Sequence, residues 1–197
     1  MALPKEKYEK YYTFAEWLSW DRNVRAEIID GELVMLAQPA QKHQEVLGEL
    51  FVKLHSFMKG KHCKIFPAPF GVRLLNEKDT ALEPDIVVVC DKNKLDGKVC
   101  NGAPDLVVEI LSPSTARHDR IVKFRLYQEA GVPEYWIVDP DAGLLQACVL
   151  ENGKYTVRMY DKDDVALVYV LEGCEINLGD VFGEEAEDEK TGEEKIL

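Results

Sequence analysis

The sequence predicts a mixed α/β fold of the α+β kind, in which helices pack against a mixed sheet. Three observations carry that expectation. Residues 40–58 repeat their apolar side chains at the helical period, residues 85–90 and 105–111 are apolar on both strand parities, and a second helical segment precedes a further apolar stretch at 134–138. Strands apolar on both parities are covered on both faces, and the order helix, strands, helix, strand implies helices laid on a mixed sheet. At 197 residues and 22.4 kDa the chain suits one domain, placed at residues 1–183, with an appended tail at 184–197.

Thr13 and Glu16 have the spacing of a capping box, which predicts a short helix over 13–20. Asp30-Gly31, between segments 25–29 and 32–36, predicts a tight hairpin, because both turn positions tolerate positive φ. Val46, Leu47, Leu50, Phe51, Leu54 and Phe57 form one broad stripe, so 40–58 is expected to be a helix that Gly60 ends. Strands are expected at 64–66, 71–75 and 85–90, divided by proline and charge, with the last one central. After 105–111, Ser112-Pro113-Ser114-Thr115 breaks the strand and opens a helix reaching Ala130, stopped by Gly131. A buried strand at 134–138 follows. Segments 144–150, 154–160 and 165–170 then form a meander that extends the sheet.

Apolar residues make up 46% of the chain, which excludes disorder as the state of its body. The longest apolar runs fall far short of the roughly 18 residues of a membrane helix. Residues 1–12 lack the apolar centre of a secretory signal, so a cytoplasmic location is expected. Cys63, Cys90, Cys100, Cys148 and Cys174 are scattered and odd in number; their spacing encodes neither a disulfide framework nor a C-x-x-C zinc site, and reduced thiols are expected. Net charge is −12, and the acids concentrated after Phe182 read as a solvated, disordered tail. The remaining 29 acids and 22 bases argue against a general nucleic-acid coat while leaving room for a local basic site.

No phosphate loop, H-E-x-x-H, G-x-S-x-G or G-x-G-x-x-G motif occurs, so the chemistry rests on acids set into apolar strands. Glu109 interrupts Leu106-Val107-Val108-Glu109-Ile110-Leu111, where an ionised carboxylate is costly unless it is paired or binds a metal. Asp85 stands at the mouth of the other buried strand. Two carboxylates on neighbouring strands make an oxygen site suited to Mg²⁺ or Mn²⁺. The structural alternatives are a strand-end carboxylate held by a base from the next helix, for Glu109, and a turn residue, for Asp85. Downstream, Arg117, His118, Arg120, Lys123 and Arg125 form the one dense basic cluster, and Asp119, Lys123 and Tyr127 share a helix face at spacings of four. Arg117, Arg120 and Arg125 read most simply as a solvated surface. Ser112, Ser114 and Thr115 read as turn and cap residues, or as a helix start that holds a phosphate.

Pro84-Asp85, Val108-Glu109-Ile110-Leu111-Ser112-Pro113-Ser114, Asp119, Lys123, Tyr127 and Gly131-Val132-Pro133-Glu134-Tyr135-Trp136-Ile137-Val138-Asp139-Pro140 resemble the Uma-two family of endonucleases. Glu27-Ile28-Ile29-Asp30-Gly31-Glu32-Leu33 and His43 resemble the same family, which belongs to the restriction-endonuclease-like PD-(D/E)xK superfamily. The resemblance implies an αβββαβ core with an N-terminal hairpin and a C-terminal β-meander. It further implies divalent-metal-dependent cleavage of phosphodiester bonds in nucleic acid, DNA foremost, with Mg²⁺ or Mn²⁺ as cofactor. Asp85 and Glu109 match the metal ligands. In the usual E-x-K the lysine shares the strand face of the acid two positions earlier; here that position holds Leu111, and Lys123 resembles the family's displaced lysine.

On this reading Lys123 orients a water and offsets developing negative charge, while Ser112, Ser114, Arg117 and Arg120 contact the nucleic acid. His43 points along the helix stripe, whereas Glu45 and Glu49 point away, so His43 is the helix's candidate catalytic residue, with a core-edge histidine as the structural alternative. Glu27 is a candidate by resemblance at a position that also suits a structural role. Two rivals stand beside the nuclease. A non-catalytic binding or regulatory module on a nuclease fold accords with the acidity and with Leu111, and a metal-dependent phosphoesterase for small substrates needs no long basic groove. A homodimer is compatible with the fold, and no interface is identified by the sequence.

Overall fold

The computed structural model describes residues 10–21, 25–75, 78–112 and 116–183. The expected disordered tail, Ser114 and Thr115 lie outside them. α1 (Phe14–Ser19) begins at the expected capping box: the Thr13 hydroxyl accepts from the Glu16 N–H, and the Glu16 carboxylate accepts from the Thr13 N–H. β1 (Ala26–Ile29) and β2 (Glu32–Met35) meet at Asp30 and Gly31, with φ of 53° and 84°, the paired positive values that a tight hairpin requires. α2 (Gln41–Met58) buries His43, Val46, Leu50, Leu54 and Met58 along one stripe.

The chain continues through β3 (Lys64–Pro67), β4 (Gly71–Leu75), β5 (Asp79–Leu82), β6 (Ile86–Val89), β7 (Val99–Asn101) and β8 (Leu106–Ile110). A π-helical turn, His118–Lys123, leads into α3 (Phe124–Ala130), which Gly131 ends in the left-handed conformation at φ 80°. β9 (Glu134–Asp139), β10 (Leu144–Glu151), β11 (Lys154–Asp161), β12 (Val165–Val168), β13 (Cys174–Asn177) and α4 (Gly179–Phe182) complete the order.

Two sheets carry the fold. The larger runs β11-β10-β9-β8-β6-β3, with β8 and β9 parallel and the other pairs antiparallel; the second runs β2-β1-β5-β4-β7. One face of the larger sheet, including Ile86, Val88, Leu106 and Val108, packs under α2, β13 and α4 through Leu50, Leu54, Ile176 and Val181. Its other face, including Val87, Val89, Val107 and Tyr135, packs against Leu126 and Tyr127 of α3 and against Ile29, Val72, Leu74 and Leu82 of the second sheet. β6 and β8 therefore feed two cores at once, which is why they are apolar on both parities.

Three expectations need correction. The single sheet is in fact two, because β4 pairs with β5 and β7 instead of joining β3 and β6. β5 and β7 were absent from the expected elements; four and three residues long, they are too short to show alternation. Of the meander, β10 and β11 extend the larger sheet, whereas β12 pairs with β13 in a separate ribbon whose Ala166, Val168 and Ile176 cap the α2 side of the core. Finally, Cys63 and Cys90 form a disulfide instead of remaining thiols. They extend the β3–β6 register of Lys64↔Val89 by one residue, an opposition that a 27-residue separation does not reveal. Cys100, Cys148 and Cys174 are free and buried. Among the described residues, no helix is long and apolar enough to cross a membrane.

Candidate active site

Strand register builds the site. Continuing the β6–β8 pairing of Ile86↔Val108 by one residue sets Asp85 opposite Glu109. Asp85 shares the parity of Val87, and Glu109 that of Val107, so both project onto the face covered by α3 and the second sheet. Glu27, with the parity of Ile29 in β1, enters the same interior from the opposing sheet. Lys123 arrives from the π-helical turn, in which the Phe124 N–H reaches back five residues to the Asp119 carbonyl.

The Lys123 ammonium lies 2.8 Å from Glu109 Oε1, 2.9 Å from Glu27 Oε1 and 3.5 Å from Asp119 Oδ1. The Tyr127 hydroxyl donates to the same Glu109 Oε1 at 2.9 Å. Glu27 Oε1 also accepts from the Glu83 N–H at 2.9 Å, while Glu27 Oε2 is buried with no hydrogen-bond partner. Asp85 Oδ2 accepts from the Ile110 N–H at 2.8 Å and faces His43 Nε2 at 3.2 Å. Since His43 Nδ1 is buried without a partner, the network assigns the proton to Nε2, which donates to Asp85.

Burial pushes the Glu109 carboxyl well above the usual carboxylate range; Lys123 opposes that rise, while Asp119, Asp85 and Glu27 add to it. Burial works against the Lys123 ammonium, yet Glu109, Glu27 and Asp119 together raise it well above an ordinary lysine. Both directions share one cause: a single buried ammonium faces several carboxylates, which favours the charged form of Lys123, while burial and the neighbouring acids hold Glu109 toward its protonated form. Burial first, and then the Glu109 charge, raises the Tyr127 phenol as well, keeping it a neutral donor.

A small cavity of about 50 Å³ opens onto this cluster and is lined by Arg25, His43, Asp85, Glu109, Ser112 and Lys123. The expected residues Glu27, His43, Asp85, Glu109 and Lys123 thus form one connected group, with Ser112 on its wall. Arg117 is exposed and lines a different surface depression with His118 and Ile121. Arg120 pairs with Asp139 at 2.8 Å, and Ser114 lies outside the described residues. Leu111, at the position of the usual lysine, is buried in the core between the sheets. Asp119 and Tyr127 join the cluster beside the expected residues, and their spacings of four from Lys123 are the signal in the sequence that marks them. Arg25 carried none.

A family model described as "Uma2: Putative restriction endonuclease" matches residues 8–179. The chain belongs to the Uma2 family. The Uma2 assignment agrees with the resemblance in its motifs. Uncharacterized protein slr1290 of Synechocystis sp. (strain ATCC 27184 / PCC 6803 / Kazusa) is 31% identical over 114 residues, 57% of this chain and 60% of that protein. Uncharacterized protein sll1609 of the same organism is 25% identical over 135 residues, 66% of this chain and 76% of that protein. The match to slr1290 therefore spans less than two thirds of that relative. The crystal structure of "a putative nuclease belonging to DUF820" from Anabaena variabilis ATCC 29413 is similar with a TM-score of 0.72 and 20% identity, covering 86% of this chain and 97% of that one. That likeness establishes the mixed α+β, restriction-endonuclease-like fold for this Uma2 chain.

Proposed function

We propose that this Uma2 protein is a divalent-metal-dependent nuclease that hydrolyses phosphodiester bonds in DNA, with Asp85 and Glu109 as ligands of Mg²⁺ or Mn²⁺. The observation that supports this most is a charge imbalance. Glu27, Asp85, Glu109 and Asp119 gather four carboxyl groups around Lys123 and His43, in a site that opens to solvent. A divalent cation at Asp85 and Glu109 offsets that excess. Their oxygens suit Mg²⁺, which is commonly held by one or two carboxylates together with substrate oxygens.

When bound, such an ion supplies Lewis acidity toward a phosphate and makes water a better nucleophile near neutral pH. The chain's own residues prepare the site. His43 and the Ile110 N–H fix Asp85, and Lys123 and Tyr127 fix Glu109, so both carboxylates are oriented before substrate arrives. Lys123 also keeps a positive charge beside the place where phosphate charge grows. Glu27 is a positioning residue that holds Lys123 from the far side. Ser112 offers a hydroxyl at the cavity wall, and on this reading Arg117 and Arg120, outside the cavity, contact the flanking backbone of a longer substrate.

The test is cleavage of single- and double-stranded DNA and RNA with Mg²⁺ or Mn²⁺, comparing the native chain with Glu109→Ala and Lys123→Ala. The expected result is DNA cleavage that needs the ion and is lost in both variants. Undiminished cleavage by Glu109→Ala overturns the assignment. A second reading, a non-catalytic nuclease-fold module, is favoured by the burial of Leu111 where the usual lysine stands. It predicts no metal binding at Asp85 and Glu109 by calorimetry.

A further inference from the structure

The acids above are paired about a lysine, and the closest gathering of metal-ligating side chains lies elsewhere. Among the described residues, the one place where three ligand atoms of His, Cys, Asp or Glu lie within 4.8 Å of one another is His62, Cys63 and Cys90. Cys63 precedes β3, the edge strand of the larger sheet, and Cys90 follows β6; Asp85 is at the opposite end of β6. The two cysteines are directly opposed in the antiparallel ladder, so both sulfurs leave the sheet on one side. His62 is exposed, and its Nε2 lies 3.5 Å from Cys63 Sγ, so the imidazole already faces the sulfur pair from solvent.

We propose that His62, Cys63 and Cys90 form a redox-gated site for a thiophilic cation, closed as the disulfide and open as two thiolates and an imidazole. Two sulfurs and one nitrogen are a donor set for Zn²⁺, which accepts three protein ligands with water in the fourth position. The same set has little to offer Mg²⁺, so this site and the carboxylate site select different metals. Cys63 enters a surface depression lined also by Lys59, Lys61 and Lys64, so the sulfur pair lies beside an opening to solvent.

The chemistry balances without any group from the chain beyond these three. A phosphine reductant with one water breaks the S–S bond, becoming the phosphine oxide and leaving two thiols. A divalent cation then displaces both thiol protons and binds the two sulfurs and His62. Oxidation back to the disulfide by a disulfide reagent takes the two electrons from the sulfurs and expels the ion.

Co²⁺ is the probe, because thiolate ligation gives it a charge-transfer band in the near ultraviolet that carboxylates do not. The full-length chain reduced with a phosphine is expected to develop that band with one equivalent of Co²⁺ and to lose it when Zn²⁺ is added. The oxidised chain is expected to show none. Cys63→Ser and Cys90→Ser should each abolish the band, and the exposed His62→Ala should weaken binding by at least about tenfold. The proposal is overturned if the chain with all five thiols reduced shows no band, or if the band survives in Cys90→Ser. Comparing reduced with oxidised native chain needs no variant, so a variant that fails to fold does not decide the matter.

Discussion

Tyr127 donates its phenolic hydrogen to Glu109 Oε1 at 2.9 Å, on the oxygen that Lys123 also holds. The carboxylate is thereby fixed by one charged and one neutral donor from consecutive turns of a single helical segment. Tyr127→Phe keeps the ring in the core and removes only the neutral donor. The expected cost is about 1 kcal/mol of stability, measured by urea denaturation. Under the nuclease reading, kcat falls by about tenfold with KM unchanged, because the orientation of Glu109 is loosened.

Removing the charged donor is harsher. Lys123→Met leaves Glu27, Glu109 and Asp119 facing one another in the interior, and the expected loss is about 3–5 kcal/mol near neutral pH. The penalty should shrink as pH falls, since the unpaired acids then take up protons. Denaturation midpoints of native and variant chains across the acidic range check this; a penalty that does not depend on pH contradicts it.

The raised Glu109 carboxyl has its own signature in the native chain. Between the ordinary carboxylate value of 4.5 and its higher folded value, the folded state binds more protons than the unfolded one. Stability from this group therefore falls as pH rises through that window. Lys123 is likewise raised, so its contribution is complete below 10.5 and is lost as pH climbs through the folded value above it. Unfolding free energies measured in steps of pH should show the first decline in the native chain and its disappearance in Glu109→Gln.

Metal binding should release protons. An ion at Glu109 requires the ionised carboxylate, whereas burial and neighbouring acids favour the protonated form. Calorimetric titration with Mn²⁺ in two buffers of different ionisation enthalpy is expected to give different apparent heats. Equal heats would falsify the coupling between the ion and Glu109.

Glu134 supplies a control away from the site. It is fully buried in β9, accepting from the Trp136 indole N–H at 2.7 Å and the Val170 N–H at 2.9 Å. Glu134→Ala leaves both donors unpaired and should cost about 1–3 kcal/mol by urea denaturation. Cleavage per folded molecule should not change.

Legibility from sequence followed the range of the interactions. The capping box at Thr13, the Asp30-Gly31 turn and the stripe of α2 are fixed by neighbours within a few residues, and the structure shows each of them. Asp85 and Glu109 were visible because a carboxylate in an apolar strand breaks a local pattern. Their opposition across β6 and β8 depends on register, which the sequence does not state. The pairing of β4 with β5 and β7, the Cys63–Cys90 disulfide and the Lys123–Glu27 contact were hidden for the same reason. Resemblance placed Glu27 in the family pattern; only the second sheet shows that it closes on Lys123.

The sequence separation of 96 from Glu27 to Lys123 bears on how the protein comes into being. β1 emerges from the ribosome long before the helix that carries its partner, and β9, which flanks β8, emerges later still. A nascent chain that stops short of residue 123 holds Glu27, Asp85 and Glu109 without their internal cation. The acids then stay in water, where each is soluble alone, until the two sheets can dock around the lysine. Synthesis must pass residue 123 of 197 before the cluster can exist, so a fragment released earlier than that is born without the centre.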